Sequence, residues 1–198
     1  SEYERRIEQV RSGMLEIRVD LFITREPSDV MYLSGFQTFA VFGGETVIVS
    51  LKEDPILVVH PPELGMALLH TWFGDVFGYE EGKRHESYLA ELISNIGLED
   101  SRIAVDKYQL GFTVSEYEDL AESLPSAEII DGSYLVSSVR KIKANEEIEH
   151  LRRAAGITDQ GIKAAIDAVE LNNTDNDVAA AANQALVANG SEYSSLAP

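Results

Sequence analysis

Between Asp20 and Gly132 short apolar runs alternate with stretches of helical spacing, and after Tyr134 the alternation stops. This switch constrains the fold more than any other feature. Strands that alternate with helices build an α/β layer, whereas the segment beyond Tyr134 offers helices with no further strand to pack on.

The elements can be placed from the pattern. Ile7, Val10, Met14 and Ile17 recur at helical spacing within residues 2–17, which predicts an amphipathic helix. Asp20–Thr24 (DLFIT) is a short strand, and DVMYLSGF forms a helical turn closed by Gly35. ETVIVSL (45–51) and PILVVH (55–60) are separated only by KED, the pattern of an antiparallel hairpin. A helix over 62–72, a strand over 75–82, a helix over 85–97 stopped by Gly97 and a strand over 102–106 follow. A helix over 113–124, with Thr113 or Ser115 as its cap, leads to a last strand over 127–132. The prediction is an α/β domain over residues 1–135, its sheet mixed because of the hairpin. No repeat of 20–50 residues and no low-complexity segment interrupts it.

Residues 136–198 read as a linker and a separate piece. A long helix is expected over 145–169, with Asn145 as cap and Glu146 and Glu147 at the positive end of its dipole. An alanine-rich helix follows over 174–187, and SEYSSLAP is expected to be extended. Two helices and a tail cannot enclose a core, so this piece must pack on something else, or on residues not in this chain.

Composition narrows the function classes. Hydrophobic residues make up 44% and charged residues 25% of the 198, enough apolar material for one ordinary domain and a fragment of another. No apolar run reaches the roughly 18–20 residues of a membrane span, and the charged N-terminus does not read as a signal peptide, so a cytoplasmic location is expected. The absence of cysteine excludes disulfides, thiolate metal sites and a cysteine nucleophile. A net charge of −18 argues against nucleic-acid binding, which needs clustered Lys and Arg.

Chemistry is sparse. None of the motifs G-x-S-x-G, H-E-x-x-H, G-x-x-x-x-G-K-[ST] and G-x-G-x-x-G is present. The glycines of FGGE (42–45) read as a turn. His60, His70, His85 and His150 are scattered, and a surface or structural role is expected for each. The pairs Glu80-Glu81 and Glu146-Glu147 read as solvated faces, since adjacency in sequence does not make a converging acid pair. One cluster rises above this background: Tyr32, Leu33, Phe36, Phe39 and Phe42 in and around GFQTFAVFGG. Core filling before a strand is the preferred reading, and a loop that shows an aromatic to a ligand is the alternative.

The amphipathic helix ending near Met14, the segment VDLFITREPSDVMYLSGF, the hairpin and the stretch VRKIKANEEIEHLRRAAGITDQGI together resemble the creatinase/aminopeptidase P/prolidase family of pita-bread metallohydrolases. Arg140-Lys141-Ile142-Lys143, Glu146-Glu147-Ile148 and Leu151 to Ala155 carry the most specific part of the likeness. Arg18 is a departure, because relatives often place glycine there, and a differently built turn is expected.

The resemblance implies an α/β N-terminal domain of the ribonuclease-H-like kind, followed by the first helices of an incomplete catalytic domain. It implies a parent enzyme that cleaves Xaa-Pro peptides with Mn, Co or Zn. The metal-binding Asp, Asp, His, Glu and Glu fall beyond residue 198, so no cofactor and no catalytic residue is assigned to this chain. A creatinase-like or ectoine hydrolase-like small-molecule enzyme and a non-enzymatic interaction module are the alternatives. The resemblance further implies a homodimer in which the N-terminal domain of one subunit borders the active site of the other, with Phe39, Val41 and Phe42 as the substrate-proximal candidates.

Overall fold

The computed structural model describes residues 1–38, 44–79, 82, 84–107 and 112–192. Phe39, Val41, Phe42, the Glu80-Glu81 pair and most of the C-terminal SEYSSLAP lie outside them. The chain divides into two compact units, Ser1–Lys141 and Ile142–Pro198.

Helix α1 spans Glu2–Ile17, and Ser1 and Glu4 cap its start reciprocally. Ile7, Val10 and Met14 bury its apolar stripe, while Ile17 is exposed. Its last turn closes through Arg18 at φ 59, ψ 54, with the Arg18 N–H bonded back to the helix. The expected departure from glycine is therefore met by an arginine held in the left-handed region, where an L side chain costs about 1–2 kcal/mol. Arg18→Gly removes that strain but adds freedom to the unfolded chain. The expected net result is a gain of about 0.5–1 kcal/mol in urea unfolding, with an unchanged m value.

Among the described residues six strands form one sheet in the order β4-β3-β2-β1-β5-β6. They are β1 Leu21–Thr24, β2 Thr46–Ser50, β3 Ile56–Val59, β4 Asp75–Gly78, β5 Arg102–Val105 and β6 Glu128–Asp131. β2 runs antiparallel to both β1 and β3, and the remaining neighbours pair in parallel. The sheet is mixed because of the hairpin that the KED spacing predicts. Its central strands β1, β2 and β3 are buried along their whole length.

Alternating side chains feed two cores, as the two-residue period of a strand requires. Phe22, Val47, Val49, Leu57 and Ala104 point to one face, which is covered by α1, by α2 (Pro27–Ser34) and by Val136. Tyr32, Leu33 and Phe36 belong to this core, so the aromatic cluster fills the interior as far as it is described. Leu21, Ile23, Ile48, Val58 and Ile103 point to the other face, under α4 (His85–Asn95) and α5 (Val114–Ser123). A 3-10 turn at Pro61–Glu63 leads into α3, Leu64–His70. Thr113, of the two predicted caps, closes the start of α5 together with Glu116.

Two local expectations are corrected. Residues 135–141 form a helix, α6 (Leu135–Lys141), which the pattern does not announce. It rests against α1 where Gly13 has no side chain: a Cβ there would sit 2.9 Å from Leu135 Cδ2. Helix α7 (Asn145–Asp167) is capped at Ala144 rather than Asn145. The Glu147 carboxylate accepts the Ala144 N–H at 2.7 Å, and this substitutes for a capping side chain at the position before the helix.

In the second unit α7 packs on α8, Asp175–Ala188, whose start is closed by Thr174 and Asp177. Contact is close at Gly161, where a Cβ would fall 2.7 Å from Leu186 Cδ2. Leu151, Ile162, Ile166, Val169 and Val187 remain exposed, as expected of two helices that cannot enclose a core by themselves.

Candidate functional site

Five of the strands point their carboxyl ends to one edge of the sheet, where β2 begins. In open α/β sheets ligands bind outside the carboxyl ends of the strands. Ionisable side chains are buried along this edge: Arg25 after β1, Glu45 before β2, His85 and Glu86 at the start of α4, and Asp106 after β5.

Arg25 organises the part nearest α4 and α5. Its Nη1 lies 3.2 Å from Glu86 Oε1 and 3.0 Å from Glu116 Oε1, and its guanidinium sits 5.1 Å from the Phe112 ring centre. Glu116 also accepts the Thr113 N–H at 2.7 Å. These hydrogen bonds hold the Glu116 carboxyl below its usual range against the opposing effect of burial, which is the largest single influence.

His85 Nε2 faces the Thr46 hydroxyl at 3.3 Å, and its Nδ1 has no hydrogen-bond partner. Burial first, and then the charge of Arg25, push the imidazole down to about 3. This ring is neutral at physiological pH and serves the core, as the structural expectation for a lone histidine requires. Tyr79 lies against it with ring centres 4.8 Å apart, and His60 meets Tyr79 edge-on at 5.5 Å. Beside this ladder is a cavity of about 260 Å³ lined by His60, Pro61, Pro62, Tyr79 and Gly82.

Glu45 and Glu63 form an acid pair. Burial and the neighbouring Glu63 carboxyl raise Glu45 to about 7. Glu63 also accepts the hydroxyl proton of Thr38. Thr38 and Glu45 flank residues 39–43, which hold the candidates Phe39, Val41 and Phe42, all outside the described residues.

A second polar contact joins the two most specific segments of the sequence likeness. Arg140 Nη1 bonds Asp29 Oδ1 at 2.6 Å and the Ser28 hydroxyl at 2.8 Å. Asp29 is 2% exposed, and burial lifts its carboxyl to about 6 in spite of Arg140. A larger groove, of about 480 Å³, runs between α1 and the segment from β6 into α6. It holds no comparable group, and Asp131 at its rim is kept low by hydrogen bonds from Ser133.

The edge has a definite pH signature. A raised acid contributes stability that is present below its unfolded value and is lost as pH rises through its folded value. Glu45 and Asp29 therefore favour the folded state at lower pH, over windows ending near 7 and 6. His85 acts in the opposite sense. Its unfolded form takes a proton below 6.5 and its folded form does not until about 3, so stability is lost as pH falls through that range. His85→Gln removes this opposing effect. Relative to the parent chain it should gain about 2 kcal/mol on going from pH 8 to pH 5, measured by urea unfolding at both values.

The described residues contain no group of three or more His, Asp or Glu placed to hold a metal. The divalent metal implied by the resemblance finds no donor set here, and no chemical step is derived through one. None of the helices among the described residues is long and apolar enough to cross a membrane.

Residues 6–142 match the model of the Creatinase/Prolidase N-terminal domain. The match ends within a residue of the division between the compact units. An uncharacterized hydrolase/peptidase of Sinorhizobium fredii, y4tL, is 28% identical over 211 residues, covering 100% of this chain and 53% of its own. The ectoine hydrolase of Halomonas elongata is 24% identical, covering 79% of this chain and 41% of its own. Among solved structures, the prolidase from Pyrococcus furiosus superposes with a TM-score of 0.76 at 24% identity, over 93% of this chain and 53% of that one. The chain thus spans about half the length of the first curated relatives it matches.

Proposed function

This chain belongs to the creatinase/prolidase N-terminal domain family, and we propose that it is the N-terminal part of a metal-dependent hydrolase acting on Xaa-Pro peptides. In this reading the domain is not catalytic by itself. It pairs with a second copy, and the carboxyl edge of its sheet, with Phe39, Val41 and Phe42, covers the active site of the other subunit. The observation that carries the reading is the coincidence of three limits. The family match ends at residue 142, the first compact unit ends at Lys141, and the relatives continue for about as many residues again. Helices α7 and α8, with their exposed Ile162, Ile166 and Val187, are then the start of a domain whose later residues supply the metal ligands.

A second reading, a hydrolase of a small C–N compound, is favoured by the likeness to ectoine hydrolase. The test is a polypeptide extended by the gene's downstream sequence, assayed with Mn²⁺, Co²⁺ or Zn²⁺ on Xaa-Pro dipeptides, creatine and ectoine. Turnover of the dipeptides alone is the expected result, with none from the 198-residue chain. Turnover of creatine or ectoine in their place selects the second reading. An extended chain that binds no metal and hydrolyses none of them is an interaction module, and both readings fall.

A further inference from the structure

Two strands end the sheet, and they are finished differently. Among the described residues β6 pairs only with β5 and β4 only with β3. Each therefore has an unpaired edge, which a strand of another chain can extend. β6 carries exposed carboxylates at both ends, Glu128 and Asp131, and such charges protect an edge from pairing. β4 carries one, Asp75, and its Val76, Phe77 and Gly78 are half-buried.

β4 also borders an uncharged surface. From Leu64 to Gly74 (LGMALLHTWFG) there is no Asp, Glu, Lys or Arg. Helix α3 lies in this stretch and packs against β4, with Leu64 Cδ2 3.5 Å from where a Cβ of Gly78 would stand. Met66, Leu68 and Leu69 on the same helix are 54%, 59% and 77% exposed. Large apolar side chains bared together beside an open edge mark a protein contact. Charge selects the occupant. A basic partner would be met by carboxylates, which this stretch lacks, whereas a second copy, itself at −18, approaches at least cost where charge is absent.

The strand is also compatible with its own copy. A two-fold axis normal to the sheet sets an edge strand antiparallel to its copy and keeps each face continuous across the join. A residue then stands opposite only residues of its own face. Val76 packs toward the core under α1 and α2, and Phe77 and Tyr79 pack toward the core under α4 and α5. With Phe77 on the axis, the two phenyl rings meet, Val76 faces the partner's Gly78 and Asp75 faces the partner's Tyr79. With Val76 on the axis, Asp75 would face the partner's Phe77 and lose hydration to an apolar ring. The first register is the favourable one.

We propose that two copies of this chain join at β4, antiparallel and with Phe77 at the two-fold axis, so that their sheets become continuous and the α3 helices share one face of the join. This deepens the pairing with a second copy proposed above by naming its surface.

The chain has no cysteine of its own, so one introduced thiol can bridge only to another copy. Residues opposite each other in an antiparallel pair have Cβ atoms about 4.5–5.5 Å apart, near disulfide reach, and diagonal ones about 7–8 Å. The 198-residue chain should sediment as a dimer at about 100 μM and dissociate on dilution. Mild oxidation should cross-link Phe77→Cys and leave Val76→Cys monomeric on a denaturing gel. Met66→Lys/Leu69→Lys, at exposed positions, spares the fold and should raise the dimer Kd about tenfold or more. Cross-linking of Val76→Cys instead of Phe77→Cys overturns the proposed join. A monomeric 198-residue chain beside a dimeric extended enzyme also overturns it and leaves the pairing reading intact, resting on downstream residues. If the extended enzyme is monomeric as well, the pairing reading falls too.

Discussion

Arg25→Met is expected to destabilise the first unit by about 3–5 kcal/mol, the range for removing one partner of a buried ion pair. The pair with Glu86 is not in itself a source of net stability, because both groups lose their hydration: each side chain is 7% exposed. The cost arises from what is left behind. Without Arg25, Glu86 remains as an acid with no cation at the buried start of α4, whereas Glu116 keeps its bonds from Thr113. The double variant Arg25→Met/Glu86→Leu should therefore recover most of the loss, giving a coupling of roughly 2–3 kcal/mol in a double-mutant cycle. Urea unfolding of the four proteins checks this. Equal destabilisation in the single and double variants would show that Arg25 acts through packing on Phe112 rather than through charge.

Phe22→Ala should cost a similar amount, about 3–5 kcal/mol, for a different reason. Phe22 is 1% exposed on the central strand β1. A Cβ placed on Gly132 would sit 3.2 Å from the edge of its ring and 2.8 Å from Ala104 Cβ. The bare backbone of Gly132 thus lies directly on the aromatic ring, and α6 starts three residues later. Truncating the ring leaves a cavity that this backbone cannot fill without moving α6. The expected signature in urea is a lower midpoint with unchanged m. Faster exchange in α6 than in α5 would accompany it, since α5 covers the other face of the sheet.

The pattern of apolar residues carried most of the scaffold. Strands β1 to β6, the hairpin, the stop at Gly35 and the Thr113 cap follow from local chemistry that a short window contains. Helix α6 does not. LVSSVRK is too short and too rich in valine and serine to be helical on its own propensity. It is held by tertiary contacts: Leu135 over Gly13, Val136 in the core, and Arg140 on Asp29. The Asn145 expectation was wrong by one position, because Glu147 reaches back to the Ala144 N–H.

The polar edge was illegible for a deeper reason. Arg25 and Glu86 are 61 positions apart, and Thr38 and Glu63 are 25 apart. Each sits in a stretch that reads as an ordinary turn or helix start. Only the convergence of strand ends brings them together, and convergence has no local signal. A polar residue immediately after an apolar strand in an alternating chain was the available hint, as at Arg25, His60, Tyr79 and Asp106.

The proposed role is tested most directly by mixing subunits. In the extended enzyme one chain carries Phe39→Ala/Phe42→Ala, and the other has intact aromatics but lacks a metal ligand from the downstream part. Each is expected to be inactive as a homodimer. If the N-terminal domain covers the partner's site, half of the dimers in an equal, fully exchanged mixture gain one working site. Activity should then return to roughly a quarter of the parent's, from the statistics of a two-fold dimer. A mixture as inactive as its components would place the aromatic segment over its own chain's site or over none, and would contradict the account.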